Sequence, residues 1–246
     1  MNRILMLFVL IVTPVIAFAI EPPMDLYQNI LTRYVKPETH DGTILNWVNY
    51  SDLKKDADFA QLVKQIAEFS PDKLEGKQEQ LAFYINAYNI LALKTVVDNW
   101  PVKSIKNAGS FLKPVWKKDA GAIGGKQVSL DEIEHEILRP MGDPRIHMAI
   151  VCASVSCPDL RTEPYMAKNL NEQLDDQTSK FLSNPQKGLI IEDNKARTSK
   201  IFDWFADDFI KTNGSVRNFI TQYSDISEDI KLTRGGLPYN WSVNGE

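Results

Sequence analysis

The sequence predicts an α+β protein, a helix-rich single domain around a small sheet with a central buried strand. Three observations predict it. Apolar residues recur at helical spacing in several separate stretches. Short extended stretches bounded by turn residues cluster instead of alternating strictly with the helices, which disfavours a doubly wound sheet. No Pro/Gly/Ser-rich linker divides the 246 residues, so we expect one domain. With 43% hydrophobic and 24% charged residues, the chain is able to bury a core. A net charge of −4 lacks the basic footprint that phosphate binding needs, which argues against a nucleic-acid partner.

The elements follow in order. Arg3, the apolar run Ile4–Ile16 and the small-residue end Ala17-Phe18-Ala19 have the layout of a secretory signal peptide. The run is shorter than the ~20 residues that cross a bilayer. We therefore expect a signal peptide over 1–19, a domain over 20–246 and a periplasmic or secreted protein with no stable membrane span after cleavage. Tyr27, Ile30, Leu31 and Tyr34 mark a helix running up to Pro37. Asp41-Gly42 turns the chain into an extended Thr43–Tyr50. Phe59, Leu62, Val63, Ile66 and Phe69 stripe a second helix ended by Pro71. A third, Lys77 to Asp98, is apolar on nearly every face and so is central.

Pro101 to Ile123 reads as irregular, and Gly124-Gly125 as a hairpin turn into Lys126–Val128. Ser129 and Glu132 form a capping box that opens a helix, with Leu130, Ile133, Ile137 and Leu138 inward and Pro140 as the stop. Arg145–Ala153 is apolar on both faces and reads as the central strand. A helix follows over Asn169–Leu182, then a hairpin of Leu189–Glu192 and Lys195–Thr198 around Asp193-Asn194. Ser199–Thr212 presents Phe202, Phe205 and Phe209 on one helical face, and Val216, Phe219, Ile220 and Tyr223 mark a last helix before a tail with a Gly235-Gly236 turn.

Chemistry-bearing residues crowd between Glu134 and Arg161. Cys157 precedes Pro158, which suits the first position of a helical turn over Pro158–Arg161, where exposed N–H groups would lower a thiol pKa. His147, on the expected strand, is the base that would activate it. Glu134 sits on the apolar stripe of its helix, where a carboxylate is costly unless partnered, and would orient His147. Asn86 and Asn89 share a face of the most apolar helix; they would either line the site or satisfy a buried loop. Arg145, Cys152 and Ser154 complete the set of candidate binding residues. Trp47, Trp100, Trp116, Trp204 and Trp241 are scattered and read as core or rim aromatics, not a sugar platform.

The run Ala82-Phe83-Tyr84-Ile85-Asn86-Ala87-Tyr88-Asn89, the block Ser129–His135 with Ile137-Leu138-Arg139, and Arg145-Ile146-His147-Met148-Ala149 with Cys152–Pro158 resemble domain-of-unknown-function family 547 (DUF547). Leu174, Phe181-Leu182 and the tail Tyr239–Asn244 are similar to it as well. The tail departs at Asn240, where the family resemblance leads one to expect an aspartate. The resemblance implies no activity. It marks Asn86, Tyr88, Asn89, Glu134, His135, Arg145, His147, Cys152 and Cys157 as signature positions.

Three functional readings remain open. One is a thiol hydrolase or acyl transferase of the cell envelope, with Cys157 as nucleophile, His147 as base and Glu134 or an asparagine as orienter. The second is a Cys152–Cys157 disulfide, structural or redox, in a module that binds a small molecule, peptide or glycan. The third, a zinc site drawn from His135, His147, Glu134 and a cysteine, lacks any tight ligand pair. We expect no metal and no cofactor.

Overall fold

A computed structural model describes residues 22–246. The expected signal segment, 1–19, and the cleavage point before Ile20 lie outside them. The architecture is α+β, rich in helices and carrying small, mostly antiparallel ladders.

Helix α1 (Met24–Tyr34) buries Tyr27, Ile30 and Leu31, as the spacing predicts. It ends before Pro37, because Val35–His40 (β1) pairs antiparallel with Thr43–Val48 (β2). A two-stranded ladder is all edge, which is where a strand tolerates proline. Helix α2 (Tyr50–Leu53) leads to α3 (Ala57–Glu68), whose first turn is capped by the Asp56 carboxylate accepting from the Asp58 and Phe59 amides. Helix α4 (Lys77–Asp98) is buried along most of its length. The stretch expected as irregular contains strand β3 (Asp119–Ile123), paired through Gly124-Gly125 with β4 (Lys126–Ser129). Both glycines have positive φ, 57° and 79°, which the tight turn requires.

The Ser129–Glu132 capping box is present and starts α5 (Leu130–Glu132). The helix then widens into a π-helical turn over Ile133–Leu138. Arg145–Ala153 is not the central strand the sequence suggests. Ile146–Ala149 forms a short helix, α6, and the chain continues extended from Ile150 toward Cys152. An unbroken apolar run marks burial but does not separate strand from helix. No helical turn forms at Pro158–Arg161.

Helix α7 (Leu170–Leu182) precedes the hairpin β5 (Leu189–Glu192) and β6 (Lys195–Thr198). The Ser199–Thr212 helix is two: α8 (Ile201–Trp204) and α9 (Ala206–Asn213), broken at Phe205. Helix α10 (Val216–Ile220) and strand β7 (Lys231–Thr233), parallel to β6, complete the elements.

The apolar interior has two parts. The larger packs α1 to α5 and the Ile150–Leu160 stretch around α4. The smaller gathers Phe181, Phe202, Phe209 and Phe219. Helix α6 lies on the seam: Ile146 and Ala149 belong to the larger core, Met148 to the smaller. The carboxyl-terminal tail closes over this region. Its backbone bonds to Val48 and Ser51 on one side, Lys103 on another, and Ala153, Val155 and Ser156 between the cysteines.

Candidate functional site: an aromatic cavity walled by a disulfide

The seam opens into a cavity of about 420 Å³. Its lining draws on α4, the π-helical turn, α6, the Cys152–Pro158 loop, α8 and the tail.

His147, on α6, is buried and stacks face to face on Phe205, ring centroids 4.0 Å apart. The break between α8 and α9 delivers both Phe205 and, three residues on, Asp208. Asp208 Oδ2 lies 2.8 Å from His147 Nε2, and Arg139 grips the same carboxylate with two donors at 2.7 and 3.0 Å. Burial alone would push Asp208 up, but the bonds from His147 and Arg139 outweigh it and hold the carboxyl well below its usual range. Burial lowers the His147 pKa, so the ring is neutral at pH 7. A neutral ring donates from Nε2 to the carboxylate and keeps Nδ1 as an acceptor. That Nδ1 is buried and has no partner. The acid that orients His147 is therefore Asp208, not Glu134 as the sequence suggests. Asp208 sits three residues past Phe205 on the apolar stripe of its helix, the same signal that singled out Glu134. Beside Asp207, at a helix start, it resembles an ordinary first-turn carboxylate.

Glu134 lines the cavity from the π-helical turn and is 8% exposed. Burial pushes its carboxyl up to about 7; Arg139 and the Tyr88 hydroxyl oppose the shift, while Asp131 and Asp208 add to it. Near neutral pH it holds a proton for much of the time.

Cys152 and Cys157 are bonded to one another, and both line the cavity. No free thiol exists among the described residues. Cys157 Sγ accepts from the Cys152 amide at 3.0 Å and from the Tyr239 hydroxyl at 3.4 Å. The Tyr239 hydroxyl is also 3.4 Å from Cys152 Sγ, and Ser154 Oγ is 3.2 Å from it. The loop turns at Ala153, whose φ of 54° is unusual for a residue with a Cβ. No hydrogen bond joins either sulfur to His147.

The remaining candidates divide. Asn89 holds the loop from below: its amide donates to Ala149 O at 3.0 Å and accepts from Val151 N at 2.8 Å. Asn86 does the same for Tyr165, at 2.7 and 2.9 Å, away from the cavity. Arg145 is clamped by Asp143 and Asp175 on another face. His135 lines the rim and is bonded to Arg139. Among the described residues no group of three His, Cys, Asp or Glu is placed to hold a metal ion.

The tryptophans are less scattered than the sequence suggests. Trp116, Trp204, Trp241 and Tyr239 meet at the cavity. Tyr239 lies 4.5 Å from Trp241 and 4.9 Å from Trp204, and Trp241 lies 5.7 Å from both Trp116 and Trp204. Lys106 Nζ sits 3.4 Å above the Trp241 ring. More than a hundred residues separate Trp116 from Trp241 in the chain, and no local pattern announces that they meet.

Residues 71–182 match the family model described as "Protein of unknown function, DUF547". The resemblance read from the motifs is borne out over that segment, which contains Asn86, Asn89, Glu134, Arg145, His147 and both cysteines. Asp208, Tyr239, Trp204 and Trp241 lie beyond it. No curated protein and no solved structure matches the chain.

Proposed function

We propose that the protein is an exported, non-catalytic binding module whose cavity takes a sugar ring of a glycan, with the Cys152–Cys157 disulfide as one wall. The observation that carries the reading is the convergence of Trp116, Trp204 and Tyr239 on Trp241 beside a concave, mostly apolar space. Aromatic faces cover the apolar face of a pyranose, and its hydroxyl edge needs donors and acceptors. Glu134, which holds a proton for much of the time near neutral pH, is a donor in that state, and His147 Nδ1 is a buried acceptor with no partner of its own.

Two facts weigh against the thiol-hydrolase reading for the oxidised protein. A disulfide sulfur has no proton to lose, and no hydrogen bond joins His147 to either sulfur. Export is supported by the amino-terminal pattern and by a disulfide, which persists in oxidising compartments.

Tryptophan emission tests the binding reading. Titration with a panel of neutral and N-acetylated oligosaccharides should give a saturable change with at least one of them. Trp241→Ala should weaken that binding by about tenfold. No saturable change with any saccharide, or saturation only with aromatic peptides, would overturn it.

A further inference from the structure

We propose that Cys152–Cys157 is a redox-active disulfide, reduced in the native protein by low-molecular-weight thiols that enter the cavity and attack Cys152. The inference is independent of the glycan reading, because it rests on the sulfurs, their donors and their access to the cavity.

The two sulfurs are not equivalent. Cys152 is half-buried and Cys157 is 4% exposed, yet both belong to the cavity lining. A thiol arriving through the cavity meets Cys152 as the more open member. Exchange also depends on the sulfur that leaves: the better its thiolate is stabilised, the faster the bond breaks. Cys157 Sγ already accepts from the Cys152 peptide N–H at 3.0 Å, which sets it apart, while the Tyr239 hydroxyl is 3.4 Å from both sulfurs and so is within reach of Cys157 as it leaves. A backbone N–H held by a rigid loop is the kind of donor that lowers a thiol pKa. Here the donor belongs to the residue under attack, so it is in place as Cys157 departs. A disulfide serving only to cross-link the fold needs neither the cavity nor these donors.

The step balances. The electron pair of an incoming thiolate forms a bond to Cys152 Sγ, and the pair of the old S–S bond leaves on Cys157, which then takes up a proton. Glu134, in the same cavity, is a proton source, because burial pushes its carboxyl up to about 7. A second thiolate attacks the sulfur of the first thiol and frees Cys152. Two thiols become one disulfide, and the protein gains two electrons and two protons.

The test uses the folded, oxidised protein and reduced glutathione without denaturant. Aliquots are quenched with N-ethylmaleimide, and the peptide holding both cysteines is fragmented in a mass spectrometer. The expected intermediate carries glutathione on Cys152 and maleimide on Cys157, and it gives way to a doubly alkylated peptide. A disulfide that survives until denaturant is added would overturn the proposal, as would glutathione found on Cys157. Tyr239→Phe, which keeps the ring, should slow reduction about fivefold, the worth of one hydrogen bond. An unchanged rate in that variant would remove the assigned role of the phenol in stabilising the leaving sulfur and count against the mechanism.

Discussion

The carboxyl of Glu134 makes the fold sensitive to pH. Its pKa is about 7 when folded against an ordinary 4.5, so the folded chain holds a proton that the unfolded chain releases. Stability from this residue is full below about pH 4.5 and declines as pH rises to about 7. His147 acts in the opposite sense. Burial lowers its pKa below the usual 6.5, so stability falls as the pH drops below that value. Glu134→Gln separates the two, because the amide stays neutral at every pH. Urea unfolding should find the variant about 3 kcal/mol more stable than the parent at pH 8 and no more stable at pH 4. Glu134 was legible because a carboxylate on an apolar stripe is costly. His147 and the cysteines were legible because they crowd one window. Asp208 carried the stripe signal too, but a helix start offers an innocuous account of an aspartate.

Among the elements, those with strong periodicity or explicit turn residues read directly from the sequence: α3, α4, α7, and the hairpins at Gly124-Gly125 and Asp193-Asn194. Helix α6 did not, because its apolar run fits a strand as well as a helix. What fixes it is tertiary. The Asn89 side chain takes the place of the missing backbone partners where α6 gives way to extended chain. Asn89→Ala would leave Ala149 O and Val151 N buried and unpaired, and should cost about 3 kcal/mol in denaturant unfolding. The same variant should loosen the disulfide loop, read as faster amide hydrogen exchange at Val151 and Cys152. The break at Phe205 was equally hidden, since Phe202, Phe205 and Phe209 keep helical spacing across it.

For the whole molecule, α+β composition followed from the clustering of short strands, whereas the convergence of distant tryptophans did not, because it depends on how two cores abut. Among the described residues no helix is long and apolar enough to cross a membrane. The export proposal makes a prediction of its own: amino-terminal sequencing of the protein recovered from its source cells should begin at Ile20, and an intact Met1 would refute it. The tail that stitches Val48, Ser51, Lys103 and the 153–156 loop together also supplies Tyr239 and Trp241. In a polypeptide threaded outward from its amino end, the cysteines arrive well before these two rings do. If the chain is exported as proposed, an oxidant can reach both sulfurs before the tail covers them, so the wall can be bridged before it is closed.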